Sequence, residues 1–138
     1  MEITKQYLKE LIYLINGAAI EVHKNLGPGL LESVYHKCMI EELKDCNISF
    51  ESEYRVPVIY KGKPISAELR CDLFIEKILP VELKAVETIM PIHEAQILTY
   101  MKLLHVPEGL LINFNSKNIF KNGQRTFVNE LYRLLKEK

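Results

Sequence analysis

Residues 70–87, RCDLFIEKILPVELKAVE, decide the fold. They read as two short apolar strands joined by a tight turn around Glu76 and Lys77. Side chains along a strand alternate between faces with a period of two. Glu82 and Lys84 therefore share one face, and Val81, Leu83 and Ala85 share the other. If the preceding strand folds back antiparallel, Asp72 lies beside Glu82 and Lys84. Burying such charges unpaired costs on the order of several kcal/mol, so this arrangement requires that they serve one another or a metal ion.

Outward from this hairpin, residues 48–60 (ISFESEYRVPVIY) have strand character, with Pro57 marking an edge position or a bulge. A turn at Tyr60-Lys61-Gly62-Lys63 leads into a long return strand over residues 64–75, and residues 79–86 complete a three-stranded antiparallel meander. Two helices precede it. In residues 3–24, Tyr7, Leu8, Leu11, Leu14, Ile15, Ala18, Ala19 and Val22 recur at intervals of three and four, and Gly27-Pro28 ends the helix. A second helix spans residues 30–47, with Leu31, Val34, Tyr35, Cys38 and Cys46 on one face. Glu32 falls about 100° from Leu31, at the border of that face, from where a carboxylate reaches a cleft without entering the core.

After the meander, residues 91–105 return to helix, with Pro91 in the first turn and Ile97, Met101 and Leu104 buried. Gln96 and Tyr100, four apart, project from one side of it. Residues 109–114 (GLLINF) make a buried strand, and the intervening helix permits parallel pairing through a crossover. Residues 115–124 read as polar loop, and Phe127, Leu131, Leu134 and Leu135 as the stripe of a closing helix. The expected order is α-α-β-β-β-α-β-α in one domain over residues 1–138, an α/β (α+β) fold.

Glu42-Leu43-Lys44 repeats the ELK triplet, but on a helix residues two apart diverge, so it has only a surface role. Context gives the triplet at Glu82 its meaning. Two carboxylates about 4 Å apart at an effective dielectric near 20 repel by on the order of 4 kcal/mol. A divalent cation removes that repulsion, prefers oxygen ligands, activates water and stabilises charge on a phosphoryl oxygen. A lysine alongside positions the nucleophile or stabilises developing negative charge. The simpler alternative is a structural ion pair of Glu82 with Lys84 or Arg70.

GLLESVY at residues 29–35 resembles the signature of the GxxExxY family, a group within the PD-(D/E)XK nuclease superfamily. The similarity continues through RCDLFIE, VELKAV, HEAQILTY and GLLINF, in order, along nearly the whole chain. It implies a restriction-endonuclease-like fold, a mixed central sheet flanked by helices. It also implies that Asp72 and Glu82 bind a divalent metal, usually Mg2+ with Mn2+ as a substitute, that Glu32 completes the metal site, and that Lys84 serves catalysis. Gln96 and Tyr100 match a QxxxY motif on the following helix. Cys71 stands where the superfamily's name has proline, a position that varies among its members.

Composition narrows the partners. Eighteen basic residues balance eighteen acidic ones, which argues against coating nucleic acid by bulk charge while allowing a local basic groove. The 48% hydrophobic content supports a core without disulfides. Cys38, Cys46 and Cys71 are odd in number and lack metal-type spacing, and Cys38 and Cys71 fall in apolar patterns. No signal peptide and no bilayer-spanning run is legible, so a cytoplasmic setting is expected. The four histidines are scattered; His93 falls near the inferred site, where a helix cap is its simplest role. Two functions remain: a Mg2+-dependent nuclease acting on DNA or RNA, or an inactive nuclease-fold module for binding or assembly, with room for a homodimer. An enzyme of small nucleotides lacks support, because no Gly-rich phosphate loop is present.

Overall fold

The computed structural model describes residues 2–138. Two helices come first, α1 (Lys5–Leu26) and α2 (Glu32–Asp45). Five strands follow: β1 (Phe50–Arg55), β2 (Val58–Tyr60), β3 (Lys63–Ile65), β4 (Arg70–Ile75) and β5 (Leu79–Lys84). Helix α3 (Pro91–Leu104), strand β6 (Glu108–Asn113), a short α4 (Ile119–Asn122), strand β7 (Gln124–Val128) and a short α5 (Glu130–Arg133) complete the chain. Strands β1-β4-β5-β6-β7 form one mixed sheet, and β2 pairs with β3 as a separate hairpin. Among the described residues only the β5–β6 pair is parallel, as the crossover through α3 requires. No helix among the described residues is long and apolar enough to cross a membrane.

Helices cover both faces of the sheet. Leu11, Ile15, Ala18 and Val22 of α1 and Tyr35, Met39 and Leu43 of α2 pack on Leu73, Ile75, Val81, Leu83, Leu110 and Ile112. On the opposite face Ile97, Tyr100 and Met101 of α3 meet Val56, Cys71, Phe74 and Val106. Gly109 lets α3 lie close to β6, because a Cβ there would stand 2.9 Å from Ile97 Cγ1. The turn between β4 and β5, residues 76–78, has Glu76 and Lys77 at φ 51 and 56, and the Ile78 N–H donates to the Ile75 carbonyl across them.

Four expectations from the sequence are corrected. The meander's first two long strands are each broken: residues 56–57 separate β1 from β2, residues 66–69 separate β3 from β4, and the small hairpin leaves the main sheet. Pro57, which has no N–H for a ladder, sits at the first break. Helix α2 starts at Glu32, and Leu31, its N-cap, is exposed, as is Cys46 at the other end; the buried face is Tyr35, Met39 and Leu43. The closing helix is mostly a strand. Thr126, Phe127 and Val128 suit a strand, and β6 offers them an edge, so residues 124–128 pair antiparallel to it. Asn129 then caps α5 by accepting from the Leu131 and Tyr132 N–H groups, and Leu134 is exposed. The expected polar loop holds α4, whose Ile119 is buried.

Candidate metal and nuclease site

The site begins where the ladder between β4 and β5 stops. Backbone pairing runs from Ile75↔Leu79 to Leu73↔Val81 and ends there. On the other side of β4 the register passes over Asp72 and Glu53, and Glu53 has φ 50, a strained value for a residue with a side chain. Asp72 is thus released from both neighbouring ladders. Side chains take over its hydrogen bonds. The Asp72 N–H donates to Glu82 Oε1 at 2.9 Å, and the Leu83 N–H donates to Asp72 Oδ2 at 2.8 Å. The two carboxylates bridge the gap between the strands reciprocally, each with one oxygen on the other strand's amide. This accounts for acids in otherwise apolar strands: the opened ladder supplies two donors that only acceptors can satisfy.

Lys84 follows on the same face as Glu82. Its Nζ lies 4.0 Å from Glu82 Oε2 and donates to Gln96 Oε1 at 3.3 Å. Gln96 Nε2 donates to the Tyr100 hydroxyl at 2.9 Å, and that hydroxyl donates to the Arg70 carbonyl at 2.9 Å. Helix α3 thereby ties the lysine on β5 to the backbone of β4. Asn113 fixes the chain just beyond Lys84, with Oδ1 accepting from the Val86 N–H and Nδ2 donating to the Val86 carbonyl.

Electrostatics show the same convergence. Burial, with the neighbouring Asp72 charge, pushes the Glu82 carboxyl far above the usual range. Asp72 is also raised by burial, opposed by the Leu83 N–H and by His36 and Lys84. Glu32 is raised by partial burial and by Asp72, while Lys84 and His36 pull it down. Glu32 therefore feels both the acid pair and the lysine from its place at the start of α2. Among the described residues, no three His, Cys, Asp or Glu side chains converge into a ready metal cage.

The sequence reading placed Asp72, Glu82, Lys84, Gln96 and Tyr100 together, and the structure connects all five through the hydrogen bonds and close ion pair given above. Arg70 is not a partner of Glu82; its guanidinium turns outward to Glu68 at 3.3 Å. The Tyr35 hydroxyl does not reach Glu32. It donates to the Gly27 carbonyl at 2.6 Å and accepts from the Leu30 N–H at 3.1 Å, clamping the loop that delivers Glu32 to the helix start. His93 caps α3, accepting from the Met90 N–H. The histidine that acts on the carboxylates is His36, which the sequence reading passed over. Its position four residues after Glu32, on the same side of α2, was the available signal. His36 Nε2 is 2.9 Å from Ser52 Oγ on β1.

An acid pair across two antiparallel strands, a lysine two residues on and a helix on each face define a nuclease-like α/β fold. The chain belongs to the PD-(D/E)XK nuclease superfamily, whose family model matches residues 9–126. Comparisons with curated proteins and with solved structures returned no match.

Proposed function

We propose that the protein is a Mg2+-dependent nuclease, with Mn2+ as a substitute, cleaving phosphodiester bonds in DNA or RNA and belonging to the GxxExxY group of the superfamily. One observation carries this reading: the Asp72 and Glu82 carboxylates meet across β4 and β5 with Lys84 beside them, and burial together with Asp72 pushes the Glu82 carboxyl up, so that full ionisation of the pair calls for a hard cation. The donor set fits such an ion. Asp72 Oδ1 and Glu82 Oε2 are the oxygens not engaged by backbone amides, and Glu32 reaches the same field from α2. A bound cation would supply Lewis acidity toward a phosphoryl oxygen and lower the pKa of water.

The remaining work falls to the chain itself. Lys84, held beside Glu82 and Gln96, would orient the attacking water or stabilise charge on the phosphoryl group. Gln96 fixes the lysine's ammonium, and Tyr100 fixes Gln96 against the Arg70 carbonyl. The test is cleavage of single- and double-stranded DNA and RNA with Mg2+ or Mn2+. Metal-dependent cleavage lost in Lys84→Ala is expected. Absence of cleavage on every substrate, or cleavage indifferent to that substitution, sinks the proposal.

A second reading, an inactive nuclease-fold module for binding or assembly, is favoured by the missing three-group cage and by Lys84 resting on Glu82 and Gln96. Calorimetric titration with Mn2+ separates the two. Binding abolished by Asp72→Asn supports the nuclease, because an inert module has no need of a metal pocket.

A further inference from the structure

Helix α1 has a second apolar face that nothing among the described residues covers. Its inner residues are buried in the core, yet Tyr13 is 77% exposed, and Leu14 and Ile20 are exposed beside it. With Phe120 of α4, which is 65% exposed, these three residues and Gly17 line a groove of about 630 Å³, together with Glu21 and, at the C-terminal end of α2, Glu42, Asp45 and Cys46. Contiguous apolar exposure of this kind marks an interaction surface.

The stripe has a symmetry of its own. Glu10, Tyr13, Leu14, Gly17, Ile20, Glu21 and Lys24 are all exposed, and their spacing is the same read from either end. Gly17 is the midpoint. A mid-helix glycine weakens a helix relative to alanine, and within the chain it has no packing reason, since a Cβ there would meet nothing within 4 Å. An acid, Glu10, ends the stripe on one side and a base, Lys24, on the other. Neither forms an ion pair with a described residue.

We propose that this face binds a second copy of the same chain, with the two α1 helices antiparallel about a two-fold axis at Gly17. Leu14 then meets the partner's Ile20 and Tyr13 the partner's Glu21. Glu10 pairs with the partner's Lys24, and the glycines let the helix axes approach. An isologous contact needs a self-complementary patch. A stripe with apolar residues at its centre and opposite charges at its ends is self-complementary only in the antiparallel sense.

The test is sedimentation equilibrium of the full chain across the micromolar range. A concentration-dependent dimer is expected. Leu14→Glu combined with Ile20→Glu should leave only monomer, with an unchanged circular dichroism spectrum and a melting temperature that no longer depends on protein concentration. Glu10→Lys alone should weaken the dimer about tenfold by setting like charges together, and adding Lys24→Glu should restore it. A wild-type chain that stays monomeric overturns the proposal, including the case in which the groove serves a foreign protein. So does a dimer indifferent to Leu14 and Ile20, or a charge swap that fails to recover.

Discussion

Asp72 illustrates how single residues set this site. Its amide has no strand partner and its carboxylate has one, a reversal of what a strand residue usually offers. The charges themselves were legible in the sequence, because acids in apolar strands need a reason. The reciprocal amide bridges were not, since they depend on the ladder ending at Leu73 and Val81. Glu108 was equally hidden. It opens β6, is only 7% exposed, and lines a cavity of about 330 Å³ at the other end of that strand from Asn113. Burial alone raises its carboxyl to about 7. The folded state therefore holds this proton more tightly than the unfolded chain, whose carboxyl titrates near 4.5. Its stabilising share is complete below the unfolded value and is lost as pH rises through 7. Glu108→Gln should melt higher than wild type at pH 8, with the gap closing toward pH 5. Equal pH slopes in denaturant titrations of the two proteins would contradict this.

At the scale of elements, the segment before α2 matters more than its length suggests. Gly27 and Gly29 adopt φ 69 and 103, and the fully buried Tyr35 holds the turn between them while its ring stacks on Phe114 at 4.5 Å. The Gly, Glu and Tyr of GLLESVY thus form one device, in which the glycine bends the chain, the tyrosine clamps the bend and the glutamate is set in the first turn of α2. Tyr35→Phe keeps the stacking and loses both hydrogen bonds. It should destabilise the protein by about 1–2 kcal/mol in urea unfolding and weaken Mn2+ binding through a loosened Glu32; wild-type values for both would contradict the clamp. On α3, Tyr100→Phe should lower the cleavage rate more than it raises KM, because it removes the anchor of Gln96 and leaves any substrate contact intact. Unchanged kinetics would show that the Gln96–Tyr100 pair is structural only. Helices α1 and α3 and the β4–β5 hairpin were readable from periodicity and turn residues. Strand β7 was not: its apolar residues also fit a helical stripe, and only the open edge of β6 decides between them. Helix α2 was displaced in the sequence reading because Leu31 counts as apolar in a pattern but caps the helix in space.

Across the whole molecule, a mixed sheet with helices on both faces brings the candidate site residues toward the end of the β4–β5 ladder. The acid pair lies where β4 and β5 part, Glu32 and His36 come from the helix on one face, and Gln96 and Tyr100 come from the helix on the other. The balanced total charge says little about this site, because the charges that matter are local. The order of motifs along the chain was enough to expect the fold. Which histidine would face the carboxylates required knowing how α2 lies on the sheet. The dependence on all these elements makes the metal site the most exposed claim. Crystals soaked in Mn2+ and measured at its absorption edge test it most directly. The account predicts an anomalous peak between the Asp72 and Glu82 carboxylates, with Lys84 displaced from Glu82. Full Mn2+ occupancy elsewhere in the crystal, with no peak at this pair and Lys84 still against Glu82, would contradict it.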